Sequence, residues 1–147
     1  MVTTPEEVSM ADVRKELSFC QKTKVPVLGV IENMGQYTTT LSKLQFSDGQ
    51  DHTDRTSEVI EKLKEKCPEV LDLLVTADIY PVSGGGPKAM ADQYKVPYWG
   101  TLPMDPNLLK ACENGKAFVE EQPSSIAAKA LESFCKKITT ELKVEEV

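Results

Sequence analysis

The sequence predicts an α/β fold built on a partial parallel sheet. Three observations carry that expectation. Two short apolar runs, residues 25–31 and 96–102, are flanked by helical patterns. The first run is continuous rather than alternating, as in a strand covered on both faces. Along the 147 residues the order is helix, strand, polar excursion, helix, strand, helix, helix.

Thr4-Pro5-Glu6-Glu7 reads as a helix start: Thr4 can cap, Pro5 suits the first turn, and Glu7 can close a capping box. Ser9 offers a second start. Met10, Val13, Leu17 and Cys20 then share one helical face, with an end near Lys22. The strand at 25–31 carries Pro26 among its first residues, where a missing N–H is tolerated. Glu32-Asn33-Met34 stands at its carboxyl end, where ligands gather in open α/β sheets. Residues 35–56 are polar and read as a mobile excursion. Residues 57–66 read as a charged helix with Val59, Ile60 and Leu63 on one side and a solvated face of i,i+4 charge pairs. Pro68 begins a second short helix through Leu71, Leu73 and Leu74. Ser83-Gly84-Gly85-Gly86-Pro87 is a loop opening a helix from Lys88 to Tyr94. The strand at 96–102 leads into Pro103-Met104-Asp105-Pro106, and a helix from Pro106 stops near Asn114-Gly115. The last helix, from about Ser124 to Leu142, places Ile126, Ala130, Leu131, Phe134, Ile138 and Leu142 on its core face. The tail from 143 reads as frayed. Two strands plus a vestige at 1–3 make a thin sheet with an open edge, so oligomerisation or strand exchange is expected.

Composition narrows the function. Hydrophobic residues make up 40% and charged residues 27%, enough for a packed core. The net charge of −6 disfavours a nucleic-acid partner, which calls for a basic surplus. No apolar run approaches the length of a membrane span, and the first residues lack a signal peptide's basic start and apolar stretch. Cys20, Cys67, Cys112 and Cys135 form no Cys-x-x-Cys, so reduced thiols are expected, with Cys20, Cys112 and Cys135 in the core.

The segments 2–9, Asp12-Val13-Arg14-Lys15, Phe19-Cys20 and Gly29-Val30-Ile31-Glu32-Asn33-Met34 closely resemble the C-terminal half of the Mrp/nucleotide-binding-protein family. These are P-loop ATPases of the MinD and nitrogenase-iron-protein class. Gly84-Gly85-Gly86, Val96-Pro97, Gly100, Leu102-Pro103-Met104-Asp105-Pro106, Gly115-Lys116 and Pro123-Ser124-Ser125 continue the match in order. Phe19, Cys20 and Lys22 are similar to the cytosolic eukaryotic branch, which implies a cytoplasmic protein. The resemblance implies a partial P-loop NTPase fold, Rossmann-like and three-layered, with 1–147 as the C-terminal part of one domain and an inserted helical excursion at about 35–78. It implies cytosolic iron–sulfur cluster assembly by an ATP-dependent dimeric scaffold. The partners would be a related scaffold ATPase and other iron–sulfur assembly proteins.

The family's P-loop lies upstream of the Thr-Thr-Pro segment, and no Gly-x-x-x-x-Gly-Lys-Ser/Thr occurs in these residues. The chain alone is therefore expected not to hydrolyse ATP, nor to bind ATP or a cluster tightly. The family's Cys-x-x-Cys after Glu-Asn-Met is replaced by Gln36-Tyr37-Thr38-Thr39-Thr40. Hydroxyls substitute poorly for thiolates at iron.

By that resemblance Asn33 contacts the adenine edge, its amide both donating and accepting, and Pro103, Met104 and Asp105 border the base. The plainer readings are a turn-forming Asn and a Pro-rich loop capping the next helix. No catalytic residue and no metal ligand set is assigned. Gly84–Gly86 with Lys88 has the wrong spacing for a phosphate loop and reads as a turn. Cys67, just before Pro68, reads as a helix boundary, and His52 as part of a solvated loop. A second class of function stays open: a non-catalytic interaction module that has lost ATP and cluster chemistry and binds a partner through residues 35–78.

Overall fold

A computed structural model describes residues 1–80, 82 and 84–143. Ser83 of the glycine loop and residues 144–147 of the tail lie outside the described residues. In chain order the elements are β1 (Val2–Thr3), α1 (Glu7–Thr23), β2 (Val30–Glu32), β3 (Tyr37–Thr40), α2 (Thr56–Lys66), β4 (Leu74–Ala77), α3 (Gly86–Tyr94), β5 (Tyr98–Thr101), α4 (Pro106–Glu113), α5 (Phe118–Glu121) and α6 (Ile126–Leu142). They form two compact units: Met1–Tyr37 with Asp78–Val147, and Thr38–Ala77.

In the first unit three parallel strands lie in the order β1-β2-β5. The sheet is shorter than the apolar runs suggest. Pairing begins only where neighbours reach the chain: Met1 N donates to Gly29 O at 2.8 Å, and Val30 N–H to Pro97 O at 2.8 Å. Val25 and Pro26 lie exposed before the sheet. The register slips by one between Val30 and Ile31, so Trp99 bulges from β5 and Gly100 takes φ 120°. Glycine accepts that angle without a Cβ clash.

Helices α1 and α3 gather Met10, Val13, Leu17, Met90 and Ala91 around Val30. The capping expectation at Thr4 is not met. Helix α1 starts at Glu7 with no side-chain cap, and the Thr4 hydroxyl bonds the Glu6 carboxylate at 3.3 Å instead. A second cluster joins Ala111, Phe118, Ala127 and Ala128, edged by Leu102, Leu108 and Leu131. Ser125 caps α6, accepting from Ala127 N and Ala128 N. The short α5 had no sequence signal, since four residues show no period.

The core face of α6 keeps Phe134 and Leu131 of the expected set but takes in Ala127 and Ala128 in place of Ile126, Ile138 and Leu142. Ala127, Ala128 and Phe134 are buried, whereas Ile126, Ile138 and Leu142 are exposed. Ala127 and Ala128 pack with Ala111 and Phe118 at the start of the helix. The cysteines expected in the core lie outside it, each for a reason local to its own helix. Cys112 follows buried Ala111 and Cys135 follows buried Phe134, so each lies about 100° round its helix and is exposed; Cys20 is half-buried.

In the second unit β3 pairs with β4. Thr38 Oγ1 and Thr76 Oγ1 share a hydrogen bond at 3.1 Å, and Leu41 N–H donates to Leu73 O at 3.0 Å. The start of the polar excursion is thus a strand, consistent with its three β-branched threonines. Leu74, expected in a helix, belongs to β4, because the turn from Pro68 stops at Asp72. Helix α2 carries the expected Glu58–Lys62 pair at 2.6 Å. No residue of this unit is fully buried. Among the described residues no helix is long and apolar enough to cross a membrane.

Candidate functional site

Just beyond the carboxyl ends of β2 and β5, a left-handed non-glycine residue stands beside a crowded glycine. Asn33 N–H donates to Thr3 O at 2.7 Å, tying it to β1. Its side-chain Oδ1 accepts from Met34 N–H at 2.8 Å. Met34 then sits at φ 56°, a left-handed angle that costs a non-glycine residue free energy. Gly35 follows in a buried position where a side chain would overlap Thr101 Cγ2.

These features let two segments run side by side past the end of the sheet. Leu102 N–H donates to Glu32 O at 2.7 Å, Gly35 N–H to Leu102 O at 3.2 Å, and Met104 N–H to Gln36 O at 3.1 Å. Tyr37 and Met104 form one more parallel bridge. Asn33, Pro103 and Met104 are thereby brought to one rim, all half-buried. Asp105 is occupied otherwise. It caps α4 by accepting from Asn107 N–H at 2.9 Å, and its Oδ2 accepts from Ser125 Oγ at 2.9 Å, joining the starts of α4 and α6. Its side chain does the capping work of the plainer reading.

One network here had no sequence signal. Tyr98 Oη donates to Glu32 Oε2 at 2.6 Å and lies 2.8 Å from Thr101 Oγ1. Burial, reinforced by the bond to Glu32, pushes the Tyr98 phenol up to about 12. An aromatic residue in a strand reads as core, so only the fold reveals its polar end at work.

The other candidates take their plainer readings. Gly84, Gly85 and Gly86 all have positive φ, and α3 opens on Gly86-Pro87 with both residues buried. Pro87 offers no N–H, and a Cβ at Gly86 would lie 2.5 Å from Val82 Cγ1, so this is a tightly packed turn. Cys67 closes α2, donating its N–H to Leu63 O at 2.9 Å. His52 is exposed in a loop whose aspartates bond backbone: Asp48 to Gln50, Asp51 to Thr53, Asp54 to Thr56. Hydrogen bonds from the Thr53 backbone and side chain lower the Asp51 carboxyl, and those from the Thr56 side chain and then its backbone lower that of Asp54. Among the described residues no group of three or more His, Cys, Asp or Glu could hold a metal ion.

Comparison with known proteins is consistent across sequence and structure. The ParA family model, described as NUBPL iron-transfer P-loop NTPase, matches residues 1–65 and 59–139. The chain is 36% identical over 138 residues to the cytosolic Fe-S cluster assembly factor Nubp1 homolog of Drosophila sechellia, covering 94% of this chain and 34% of that protein. It is 34% identical over 142 residues to the cytosolic Fe-S cluster assembly factor NUBP1 homolog of Caenorhabditis elegans, covering 97% and 36%. The chain therefore spans about a third of the length of these relatives. The crystal structure of the Pyrococcus furiosus cell division ATPase MinD superposes with a TM-score of 0.54 at 20% identity, over 95% of this chain and 41% of that one. At that identity the likeness shows a shared fold.

Proposed function

Since this chain belongs to the ParA family of NUBPL-type iron-transfer P-loop NTPases, we propose that it is the C-terminal portion of a nucleotide-binding iron–sulfur cluster assembly scaffold and supplies the adenine side of the ATP pocket. One observation carries this reading: the zipped segments 33–36 and 102–104 beyond the sheet, with the Asn33 amide at their start. Asn33 offers both a donor and an acceptor, which suits the adenine edge. Pro103 and Met104 supply apolar walls, and Asp105 holds the loop through its two capping bonds.

These residues fit a base but not a triphosphate. They include no phosphate-gripping motif, and the glycine turn opens on Pro87. Phosphoryl transfer depends on positioning and charge stabilisation by such parts, so the chain alone does not turn over ATP. The cluster is cargo. Among the described residues no three His, Cys, Asp or Glu side chains gather as a ligand set for it within one chain. The setting is the cytosol, as the names of the relatives suggest, and the assembly is an oligomer with a related scaffold ATPase. The edge position of β1 and the exposure of Val2 and Phe19 support that assembly.

The test is titration of the isotope-labelled chain with adenosine, guanosine and ATP. Adenosine should shift the Asn33 and Met104 amides with a Kd of about 1 mM, roughly −4 kcal/mol. Guanosine should bind more weakly, and ATP no tighter than adenosine. Absence of any adenosine response, or magnesium-dependent ATP turnover by the purified chain, would overturn the proposal.

A second reading, a non-catalytic interaction module, is favoured by one observation: the unit Thr38–Ala77 stands where a metal-binding cysteine pair is expected and buries no residue fully. Anaerobic reconstitution with iron and sulfide separates the two. A brown product with thiolate-to-iron absorbance supports the scaffold; a colourless protein supports the module.

A further inference from the structure

We propose that Tyr98 is a positioning residue for the rim, its hydroxyl tying the end of β5 to the end of β2 so that segments 33–36 and 102–104 keep their register. A phenol has one proton. With Tyr98 donating to Glu32 Oε2 at 2.6 Å, the 2.8 Å contact with Thr101 must run from the Thr101 hydroxyl, giving a directed chain from Thr101 to Tyr98 to Glu32. Among the described residues Glu32 forms no ion pair, so Tyr98 is its principal polar partner.

The need for such a tie follows from the bulge. Two residues of β5 face one of β2 between Val30 and Ile31, which loosens the pairing just before the rim. A one-residue slip would turn every following side chain to the other face. Thr101 is held against that slip by Tyr98 at its Oγ1, while Gly35, with no Cβ, leaves the room its Cγ2 occupies. Beyond Thr101 the three bonds from Leu102 N–H, Gly35 N–H and Met104 N–H then fall into place. Tyr98 bonds the Glu32 carboxylate and the Thr101 hydroxyl rather than Asn33, so it acts on the rim through backbone and not by touching a ligand. The proposal rests on the base-rim reading only for its ligand readout.

The experiment compares Tyr98→Phe, Thr101→Val and Thr101→Ser with the native chain by residue-resolved amide hydrogen exchange and by adenosine titration. Phenylalanine keeps the ring, and serine keeps the hydroxyl. In Tyr98→Phe, exchange at Leu102 and Met104 should accelerate about tenfold, as expected for loss of a bond to a charged acceptor. Exchange at Leu17, in α1, should stay unchanged. Adenosine affinity should fall by a similar factor. Thr101→Val should reproduce both effects, and Thr101→Ser should restore both. Native exchange at Leu102 and Met104 in both Tyr98→Phe and Thr101→Val would overturn the proposal, as would faster exchange with unaltered adenosine affinity. If the native chain shows no adenosine response, the base-rim reading fails, and the exchange pattern alone decides whether the tie exists.

Discussion

Gly35→Ala is the sharpest probe of the rim's packing. A methyl group there would overlap Thr101 Cγ2, with Thr101 Cβ 3.5 Å and Leu102 O 3.6 Å away. Two routes could relieve the clash. Rotating Thr101 about χ1 swings its hydroxyl off Tyr98 Oη, now 2.8 Å away, at a cost of about 1 kcal/mol. Shifting the backbone strains a buried position, at about 1–3 kcal/mol. The expected destabilisation is about 2–3 kcal/mol, or a fall in Tm of roughly 6–10 °C for a chain of this size. Thr101→Ser removes the colliding methyl and keeps the hydroxyl, so alone it should cost only about 0.5–1 kcal/mol. Combined, the two substitutions should cost about 1 kcal/mol rather than their sum, a coupling of about 2 kcal/mol that urea denaturation followed by circular dichroism can measure. Simple additivity, or a Gly35→Ala chain as stable as the native one, would refute the packing argument.

Three further outcomes follow from the same structure. Phe134→Ala, at a ring 6% exposed, should cost about 3–5 kcal/mol by denaturant titration, whereas Leu109→Ala, 63% exposed, should change stability by no more than about 0.5 kcal/mol. Asp105→Ala removes the cap of α4 and the acceptor of Ser125, so a loss of about 1–2 kcal/mol is expected, with much of it recovered in Asp105→Asn. The Tyr98 phenol is raised in the folded chain from 10.0 to about 12, so its contribution is complete below pH 10 and disappears as pH rises towards 12. Two pK units correspond to about 2.7 kcal/mol, which solvent access at this half-buried ring reduces to about 1 kcal/mol. Stability measured across that range should decline less steeply in Tyr98→Phe.

The elements that were legible share one property: their signal is local and periodic. Met10, Val13 and Leu17 announced the buried face of α1, and Pro106 with Asn114-Gly115 bracketed α4, because helical spacing and capping chemistry operate within a few residues. The rim was half legible. Glu32-Asn33-Met34 stood out as a polar triplet after an apolar strand, but nothing local indicated the left-handed Met34 or the crowding at Gly35. Strand β3 was missed because Tyr37-Thr38-Thr39-Thr40 has no apolar alternation, and its partner lies more than thirty residues away.

The amino-acid sequence by itself determined the α/β class, the buried face of α1, the bounds of α4, and the family, since ordered motifs such as Gly-Val-Ile-Glu-Asn-Met and Leu-Pro-Met-Asp-Pro are carried residue by residue. Tertiary structure alone decided which face of α6 is buried, where strand pairing begins, and that Tyr98, Thr101 and Glu32 form one chain of hydrogen bonds. The physical reason is range. Propensity and periodicity act over a turn or two, whereas burial and hydrogen-bond partners depend on which distant segments arrive together.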